Sequence, residues 1–318
     1  MTTPRNAELL FIKSVKDGIP NRDPLADSDA RRIFDEDDGR ISLSDVSVKR
    51  DVRDYVLAKY PDGGPDKNRF IFVREERTDD GKLLGRDNLA KTIWERAGIT
   101  PKDNALQQAL LAHAFDARAF GAVFSVKKAS FHVTGPVQFG WAHSLHPVQT
   151  QYIQGTVVMP SKDETPTKGE KDSEGKTQGT IWTSWITPFA LFAMPGIINH
   201  SLASQVGLTE DDVDLLIEGL WYGTLHRQAR GRGMQAPLLL IHVEYVNPFF
   251  RLGYLEDSIR VELASSSPTS LDDVTLDLSP LQHRFNQVRP EIARIRVWHH
   301  PMLRVSHPLD AEYQQFGA

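Results

Sequence analysis

The first residues that can do chemistry lie in the loop KDGIPNRDP (residues 16–24), directly after the apolar run ELLFIKSV. Gly18 and the two prolines shape the backbone, and a plain connection between two elements needs less than this. Asn21, Arg22 and Asp23 add polar side chains that can bind a partner. A purely structural loop is the usual interpretation of a single segment of this kind, so a binding role depends on what else in the chain faces it.

A second group of candidate residues lies in SVKRDVRDY, where helical spacing places Lys49, Arg50 and Arg53 on one face. Three cations along one helical face can contact successive phosphates of a nucleic-acid strand. The simpler interpretation is a solvated face in which these cations pair with Asp51 and Asp54. Taken alone, this helix favours the simpler interpretation.

The segment RQARGRGMQ (residues 227–235) places basic side chains among small residues, where a predicted helix gives way to a predicted strand. Glycines allow close approach of a backbone, while Arg230 and Arg232 supply charged donors, with Gln235 beside them. The alternative is compensation of the helix dipole at its carboxyl end.

A third patch, VKKASFHVTGPVQFGWAHS, contributes Lys127, Lys128 and Gln138 together with the aromatic residues Phe139 and Trp141. Aromatic faces can stack unpaired bases, although most aromatic side chains belong to the core. Three such patches in a chain of net charge −5 exceed what we expect by chance, and they predict a local basic groove on an acidic protein.

Signals for an enzyme are weak. The chain contains no phosphate-cradling loop, no HExxH motif, no nucleophile elbow, no dinucleotide fingerprint and no cysteine. Asp17 and Asp23 can hold a divalent cation or activate water, but acidic residues in such loops more often form turns. Two histidine pairs lack a third ligand nearby: His143 with His146, and His299 with His300. We predict no catalytic residue, no metal and no cofactor.

The elements that must position these residues alternate between strands and helices. Strands are predicted over residues 8–15, 116–126, 131–145 and 237–246. Helices are predicted over residues 43–60 and within residues 208–233, where Thr209 is the N-cap, Asp212 takes the capping-box position and an apolar stripe follows. Residues 61–115 are polar with helical patches and are interpreted as an inserted lobe. This order predicts an α+β fold with a mostly antiparallel sheet, of which a ferredoxin-like core is the simplest example.

Chain length and hydropathy limit the size of the core and indicate where the protein is located. A chain of 318 residues can bury a sizeable core. Its longest apolar stretch, ITPFALFAMPGII (residues 186–198), is too short to span a bilayer and contains two prolines. The amino-terminal residues lack the pattern of a secretory signal. We therefore expect a cytoplasmic protein that has no membrane partner.

Taken together and in this order, several segments resemble the backbone subunit of CRISPR Cascade, closest to the type I-B branch with type I-C as its neighbour. The segments are KDGIPNRDP, LSDVSVKRDVRDYV, DARAFGAVFSV, TGPVQFGWAHSLHPV and GLWYGTLHRQARG…PLLLIHVEY. The resemblance covers Glu8 to about Tyr245 and is specific in both content and order. Little of it extends beyond residue 247.

The resemblance implies a hand-shaped protein. Its palm, related to the RNA-recognition fold (RRM), would comprise residues 1–60, 116–148 and 183–318, with a finger insertion at 61–115 and a thumb hairpin at 149–182. Copies of the subunit would line up as a helical filament along the spacer of a CRISPR RNA (crRNA), and each thumb would displace a nucleotide. The guide would then pair with a target DNA strand, alongside other Cascade subunits.

Carried over to this sequence, the family's helix-borne basic residues fall on Lys49, Arg50 and Arg53. The opening loop with Asn21 and Arg22 would lie by the RNA or the next subunit. The late arginines at 230 and 232 would line the groove or the neighbouring copy.

Two other functions remain open at this stage. Related backbone subunits of RNA-targeting CRISPR complexes cut RNA with a loop aspartate, so a metal-dependent ribonuclease using Asp23 and Asp17 is the first alternative. A small-molecule-binding cytoplasmic protein is the second, and the absence of co-purifying RNA would favour it.

Overall fold

The computed structural model describes residues 2–34, 36–126, 129–156 and 181–316. These residues form a mixed α+β fold built around one large sheet, which confirms the predicted fold class. The strands are β1 (Ala7–Lys16), β2 (Ser42–Leu43), β3 (Gly121–Val126), β4 (Ala129–Thr134), β5 (Val137–Phe139), β6 (Ala142–Ser144), β7 (Gln151–Thr156), β8 (Ile181–Ile186), β9 (Phe189–Ile198), β10 (Met234–Tyr245), β11 (Arg260–Leu263), β12 (Val274–Asp277), β13 (Ile292–His299), β14 (Arg304–His307) and β15 (Glu312–Gln314). The α-helices are α1 (Asp45–Lys59), α2 (Arg86–Ala97), α3 (Leu106–His113), α4 (Phe115–Phe120), α5 (His200–Val206), α6 (Glu210–His226) and α7 (Ser279–Gln287).

The large sheet has the order β15-β13-β10-β1-β9-β6-β2, and β5 also pairs with β9. Strand β1 lies at its centre and runs antiparallel to both β9 and β10. Nine consecutive residues of β1 are buried, because strands flank it on both sides and layers cover both of its faces. This explains why its sequence is a continuous apolar run rather than an alternating one.

Both faces of the large sheet are covered. Leu9 and Phe11 of β1 point into a core shared with α1, α6 and parts of residues 61–139. Leu10 and Ile12 point to the other side, into a second core formed with the segment 246–311. That segment contains α7 and a small sheet of order β11-β12-β14. No face of β1 is therefore left open to a ligand.

Helices α1 and α6 pack against each other over one face of the sheet. Val48, Val52 and Val56 of α1 are buried, as the helical spacing predicts. The helices approach so closely that a Cβ atom on Gly223 would lie 2.3 Å from the backbone oxygen of Asp51. Glycine in α6 thus sets the distance between the two helices.

The predicted start of α6 is confirmed in detail. Thr209 and Asp212 form a capping box, in which the Thr209 side chain accepts from the Asp212 backbone and the Asp212 side chain accepts from the Thr209 backbone. Asp212 also pairs with the buried Arg118 at 2.8 Å. The cap therefore joins α6 to the α4 region.

The predicted strand over residues 116–126 is wrong in its first half. Residues Phe115–Phe120 form α4, and the strand begins only at Gly121, which has a φ of +88°. Asp116 is fully buried and accepts from the backbone amides of Phe72 and Val73 at 2.7 and 3.0 Å. A buried carboxylate that caps a distant loop favours this short helix over an alternating strand.

Strands β7 and β8 form an antiparallel stem that stands apart from the large sheet. Its register runs from Gln151 opposite Ile186 to Thr156 opposite Ile181. The polar segment 160–180, which the sequence predicts to be the tip of a long hairpin, lies outside the described residues, as do residues 157–159. None of the helices in the part of the chain described here is long and apolar enough to cross a membrane.

Candidate nucleic-acid interface

The opening loop and the loop after α6 pack directly against each other. A Cβ atom on Gly18 would lie 2.0 Å from the backbone nitrogen of Gly233, so only glycine permits this contact. Beside it, the Ile19 amide donates to the Gly231 carbonyl at 2.9 Å. Two segments more than 200 residues apart are thus joined backbone to backbone, at the ends of the paired strands β1 and β10.

A cleft of about 500 Å³ lies where these two loops meet the start of α1. Most of the sequence-predicted residues come together here. The predicted residues that line it are Asn21, Arg22, Arg50, Arg53, Arg230 and Arg232.

The two candidates in the opening loop have different surroundings. Asn21 accepts from the backbone amide and the hydroxyl of Ser44 at 2.9 and 2.6 Å, so it fixes the first turn of α1. Arg22 donates to the Ser184 hydroxyl of β8 at 2.7 Å and reaches the Gly231 carbonyl at 3.5 Å. Arg22 thus links the cleft to the middle of the β7–β8 stem.

The basic face of α1 is divided between exposed and buried partners. Arg50 is the exposed member, with 49% of its side chain accessible and Asp54 at 2.6 Å. Arg53 is mostly buried and pairs with the fully buried Asp116 at 2.8 Å. Of these two, only Arg50 presents most of its donors to a ligand in the cleft.

Lys49 points away from Arg50 and toward β5. Its ammonium lies 2.8 Å from Asp45, 3.5 Å from the Gln138 Oε1 atom and 5.6 Å from the centre of the Phe120 ring. Gln138 itself donates to the Gly135 carbonyl at 2.9 Å. Both predicted residues therefore hold the β5 region against α1 in this structure.

Arg230 and Arg232 also differ in how exposed their side chains are. Arg230 is exposed, and its guanidinium lies 4.9 Å from the centre of the Trp182 ring, near the end of the β7–β8 stem that is farthest from the large sheet in its register. Arg232 also lines the cleft but is buried. Gln235 is half-buried on β10 and donates to the Arg232 carbonyl at 3.4 Å.

Below the cleft, one fully buried carboxylate gathers three cations. Asp51 pairs with Lys13 at 3.0 Å, Arg227 at 2.9 Å and Arg232 at 3.1 Å. Burial lowers the pKa of Lys13 and of Arg232, and the charge of Asp51 opposes both shifts. We call these four residues the Asp51 cluster.

Sequence reasoning missed most of the Asp51 cluster. Lys13 is the single charge in the apolar run LLFIKSV, and such a charge in a central strand signals a buried partner. Arg227 stands at the head of the same basic run that supplied Arg230. Asp51 was interpreted as a surface partner of the helix cations, because helical spacing alone cannot reveal β1 beneath it.

The third predicted patch contributes less to the cleft. Lys127 and Lys128 lie outside the described residues. Phe139 is buried in the core, whereas Trp141 is 40% exposed, with the Arg31 guanidinium 6.0 Å from its ring centre.

The loop aspartates form turns. The Asp23 Oδ1 atom accepts from the Leu25 amide at 3.0 Å, and Asp17 adopts a φ of +56° at the end of β1. Within the described residues, no three His, Asp or Glu side chains group in a way that could hold a metal ion. The turn interpretation of these residues is the one that the contacts favour.

Comparison with known proteins identifies the family. The family model for CRISPR-associated protein Cas7 matches residues 5–279. A CRISPR-associated protein Cas7 from Haloferax volcanii is 27% identical over 323 residues, covering 93% of this chain and 87% of the relative. The chain belongs to the Cas7 family.

Solved structures share the fold. A chain of a "CRISPR RNA-guided surveillance complex, pre-nicking" aligns with a TM-score of 0.59 at 14% identity, covering 98% of this chain and 96% of that one. A chain of a second "CRISPR RNA-guided surveillance complex" aligns with a TM-score of 0.52 at 14% identity, covering 98% and 95%. At this level of identity the likeness concerns the architecture.

Proposed function

We propose that this protein is a non-catalytic, crRNA-binding backbone subunit of a type I CRISPR surveillance complex. Copies line up along the spacer of the guide in the cytoplasm and present it for pairing with a target DNA strand, together with other Cascade subunits. Family membership supports the class of complex. The observation that carries the RNA-binding role is the cleft in which the opening loop, α1 and the loop after α6 bring Arg22, Arg50 and Arg230 together.

The arrangement of these arginines suits a phosphodiester backbone. Guanidinium groups bind phosphate oxygens in a planar, bidentate manner, and such contacts position a strand without reading its sequence. Sequence reading is then left to base pairing by the guide. The link from Arg22 to Ser184, together with the contact of Arg230 with Trp182, places the cleft against the β7–β8 stem.

The strand order supports the palm assignment. Strands β10, β1, β9 and β6 are neighbours in that order and all pair antiparallel, as in a βαββαβ ferredoxin-like core. We propose that residues 1–60, 116–148 and 183–318 form this RRM-like palm, with 61–115 as the finger. The thumb is residues 149–182, although the stem strand β8 continues to Ile186.

The proposal locates the RNA at the cleft rather than on the sheet. Typical RNA-recognition folds bind bases on an open sheet face. Here the segment 246–311 covers the face opposite α1 and α6. The cleft at the ends of β1 and β10 is lined by basic residues and is open to a ligand.

The proposed function is tested by co-expressing the chain with a CRISPR array and extracting nucleic acid from the purified protein. We expect one discrete RNA of guide length in a particle much heavier than the 35.8 kDa chain. Monomeric protein without RNA would refute the RNA-binding role while leaving the family assignment intact.

The cleft assignment predicts a change in salt dependence. The double variant Arg50→Ala/Arg230→Ala should weaken binding of single-stranded RNA evenly across unrelated sequences. Each lost phosphate contact should make the log–log slope of affinity against salt less steep by about 0.7. Filter binding or fluorescence anisotropy at four salt concentrations measures this slope.

Lys91→Ala provides the matched control, since Lys91 is an exposed cation on α2 that pairs with Asp87. It should leave the slope unchanged. A double variant with the wild-type slope would show that the RNA lies elsewhere.

A further inference from the structure

The charges in the Asp51 cluster do not balance. Lys13 and Asp51 are completely buried, Arg232 is nearly so, and three cations share one carboxylate. Within the described residues, Lys13 and Arg232 have no other acidic partner within 4.0 Å. The cluster alone therefore carries an excess of two positive charges when all of its groups are ionised.

The nearest additional carboxylate does not correct this imbalance. Asp54 lies 3.7 Å from the Arg227 Nε atom, but it pairs more closely with Arg50 at 2.6 Å. Including both residues adds one negative and one positive charge, so the excess stays the same.

A second observation shows that Arg232 is not fully satisfied. Its Nη1 and Nη2 atoms reach the Pro20 carbonyl and Asp51, whereas its Nε atom is buried without a hydrogen-bond partner. Arg232 and Arg227 both line the cleft above Asp51. Buried donors of this kind cost stability unless an acceptor arrives.

Burial of surplus charge is unfavourable for the free protein. Desolvation of an ion costs more than a shared partner returns, and an apolar side chain of similar size is often better tolerated. A negative charge bound in the cleft above the cluster would offset part of this cost.

We propose that the Asp51 cluster forms a phosphate subsite, where one phosphodiester group of single-stranded RNA supplies the missing negative charge. Arg227 and Arg232 face that phosphate from the cleft wall. Lys13 is a positioning residue that does not touch the RNA: it holds Asp51 and adds to the positive field below the phosphate. This inference rests on the proposed function and specifies where the strand is anchored.

The test uses Lys13→Met, which keeps the side-chain length and removes the charge. We expect the free protein to melt about 2 °C higher or more, because one surplus buried charge is gone. Affinity for a single-stranded RNA oligonucleotide at fixed salt should fall roughly tenfold, because one buried charge near the phosphate is lost. The increase in melting temperature caused by saturating RNA should shrink accordingly.

Lys91→Met serves as the control because it removes an exposed, paired cation on α2. It should change neither the affinity nor the melting temperature by a comparable amount. A second variant, Arg232→Gln, should weaken RNA binding by roughly tenfold or more, since it removes a direct phosphate partner.

The outcomes separate the two proposals. Wild-type protein that does not bind the oligonucleotide contradicts the proposed function itself. Wild-type protein that binds, with Lys13→Met and Arg232→Gln binding equally well, contradicts the phosphate subsite alone. A Lys13→Met variant that melts lower than wild type or fails to fold would show that Lys13 stabilises the free protein, which also overturns the surplus-charge argument.

Discussion

Arg50 and Arg53 lie one helical turn apart on α1, yet their surroundings give them different roles. Arg53 pairs with the fully buried Asp116, which also accepts from two backbone amides, and its guanidinium lies 5.2 Å from the centre of the Phe120 ring. Arg50 is exposed and pairs with the half-buried Asp54. A triple alanine variant of the whole basic face would therefore mix a loss of binding with a loss of stability.

Single variants separate these effects. Arg53→Ala should lower the free energy of unfolding by about 2 kcal/mol, because it leaves the buried Asp116 carboxylate with fewer partners. Arg50→Ala should lower it by less than about 0.5 kcal/mol, as expected for an exposed ion pair. Urea denaturation of both variants measures the difference, and equal losses would contradict the division of roles.

At the residue scale, the sequence predicted which side chains are neighbours on one helix but not their environments. Helical spacing correctly placed Arg50 and Arg53 near one another, because neighbours on a helix are fixed by local geometry. The partner of Arg53 lies 63 residues away, and that of Lys13 lies 38 residues away. Such pairs depend on tertiary packing, which no local pattern encodes.

At the scale of elements, the crossing of α1 and α6 depends on two glycines. A Cβ atom on Gly223 would meet the rigid backbone oxygen of Asp51 at 2.3 Å. One on Gly219 would meet a Val52 methyl group at 2.9 Å, and a side chain can move more easily than a backbone. An alanine at position 223 is therefore a severe test of the close packing of α6 against α1, and an alanine at position 219 is a mild one.

We predict that Gly223→Ala costs about 3 kcal/mol of stability, because α6 must move away from α1 and disturb the Asp51 cluster. Gly219→Ala should cost about 1 kcal/mol, since the intrinsic preference of alanine for helix offsets part of the strain. Thermal and urea denaturation can rank the two. The reverse order would show that the helices are free to separate at Gly223.

The elements themselves were predictable where local signals agree. The capping box and apolar stripe of α6 and the continuous apolar run of β1 led to correct assignments. The segment DARAFGAVFSV was wrongly predicted to be a strand throughout, because its apolar residues suit a strand. Two buried charged side chains, Asp116 and Arg118, hold its first half as α4. Tertiary contacts of polar side chains overrode the apolar pattern there.

At the scale of the whole molecule, the large sheet lies between two hydrophobic cores, which cover both of its faces. A neutral histidine is buried on one of these faces. His242 of β10 is almost inaccessible, and its Nδ1 atom faces the Arg296 guanidinium at 3.0 Å. Glu244 lies 3.6 Å from the same atom, but a nitrogen that accepts from a guanidinium carries no proton. Burial, together with Arg296 and Arg294, holds the pKa of His242 well below its usual range.

This arrangement predicts loss of stability in mild acid. The pKa of His242 is lower in the folded than in the unfolded state, so its contribution is present above the unfolded value of about 6.5 and falls as the pH drops below it. The melting temperature of wild type should therefore decrease from pH 7 to pH 5. In His242→Gln this decrease should be smaller, and an identical slope would contradict the assignment.

The stem of β7 and β8 has a consequence for how this family can vary. Thr156 and Ile181 are partners in its register, so these two strand ends lie opposite each other. Arg22 and Arg230 contact the stem from the cleft side, through Ser184 and Trp182. We expect a different segment between these two strand ends to leave the register of the β7–β8 pair unchanged. Segments of other lengths and compositions can therefore replace the one between β7 and β8 while the cleft stays intact.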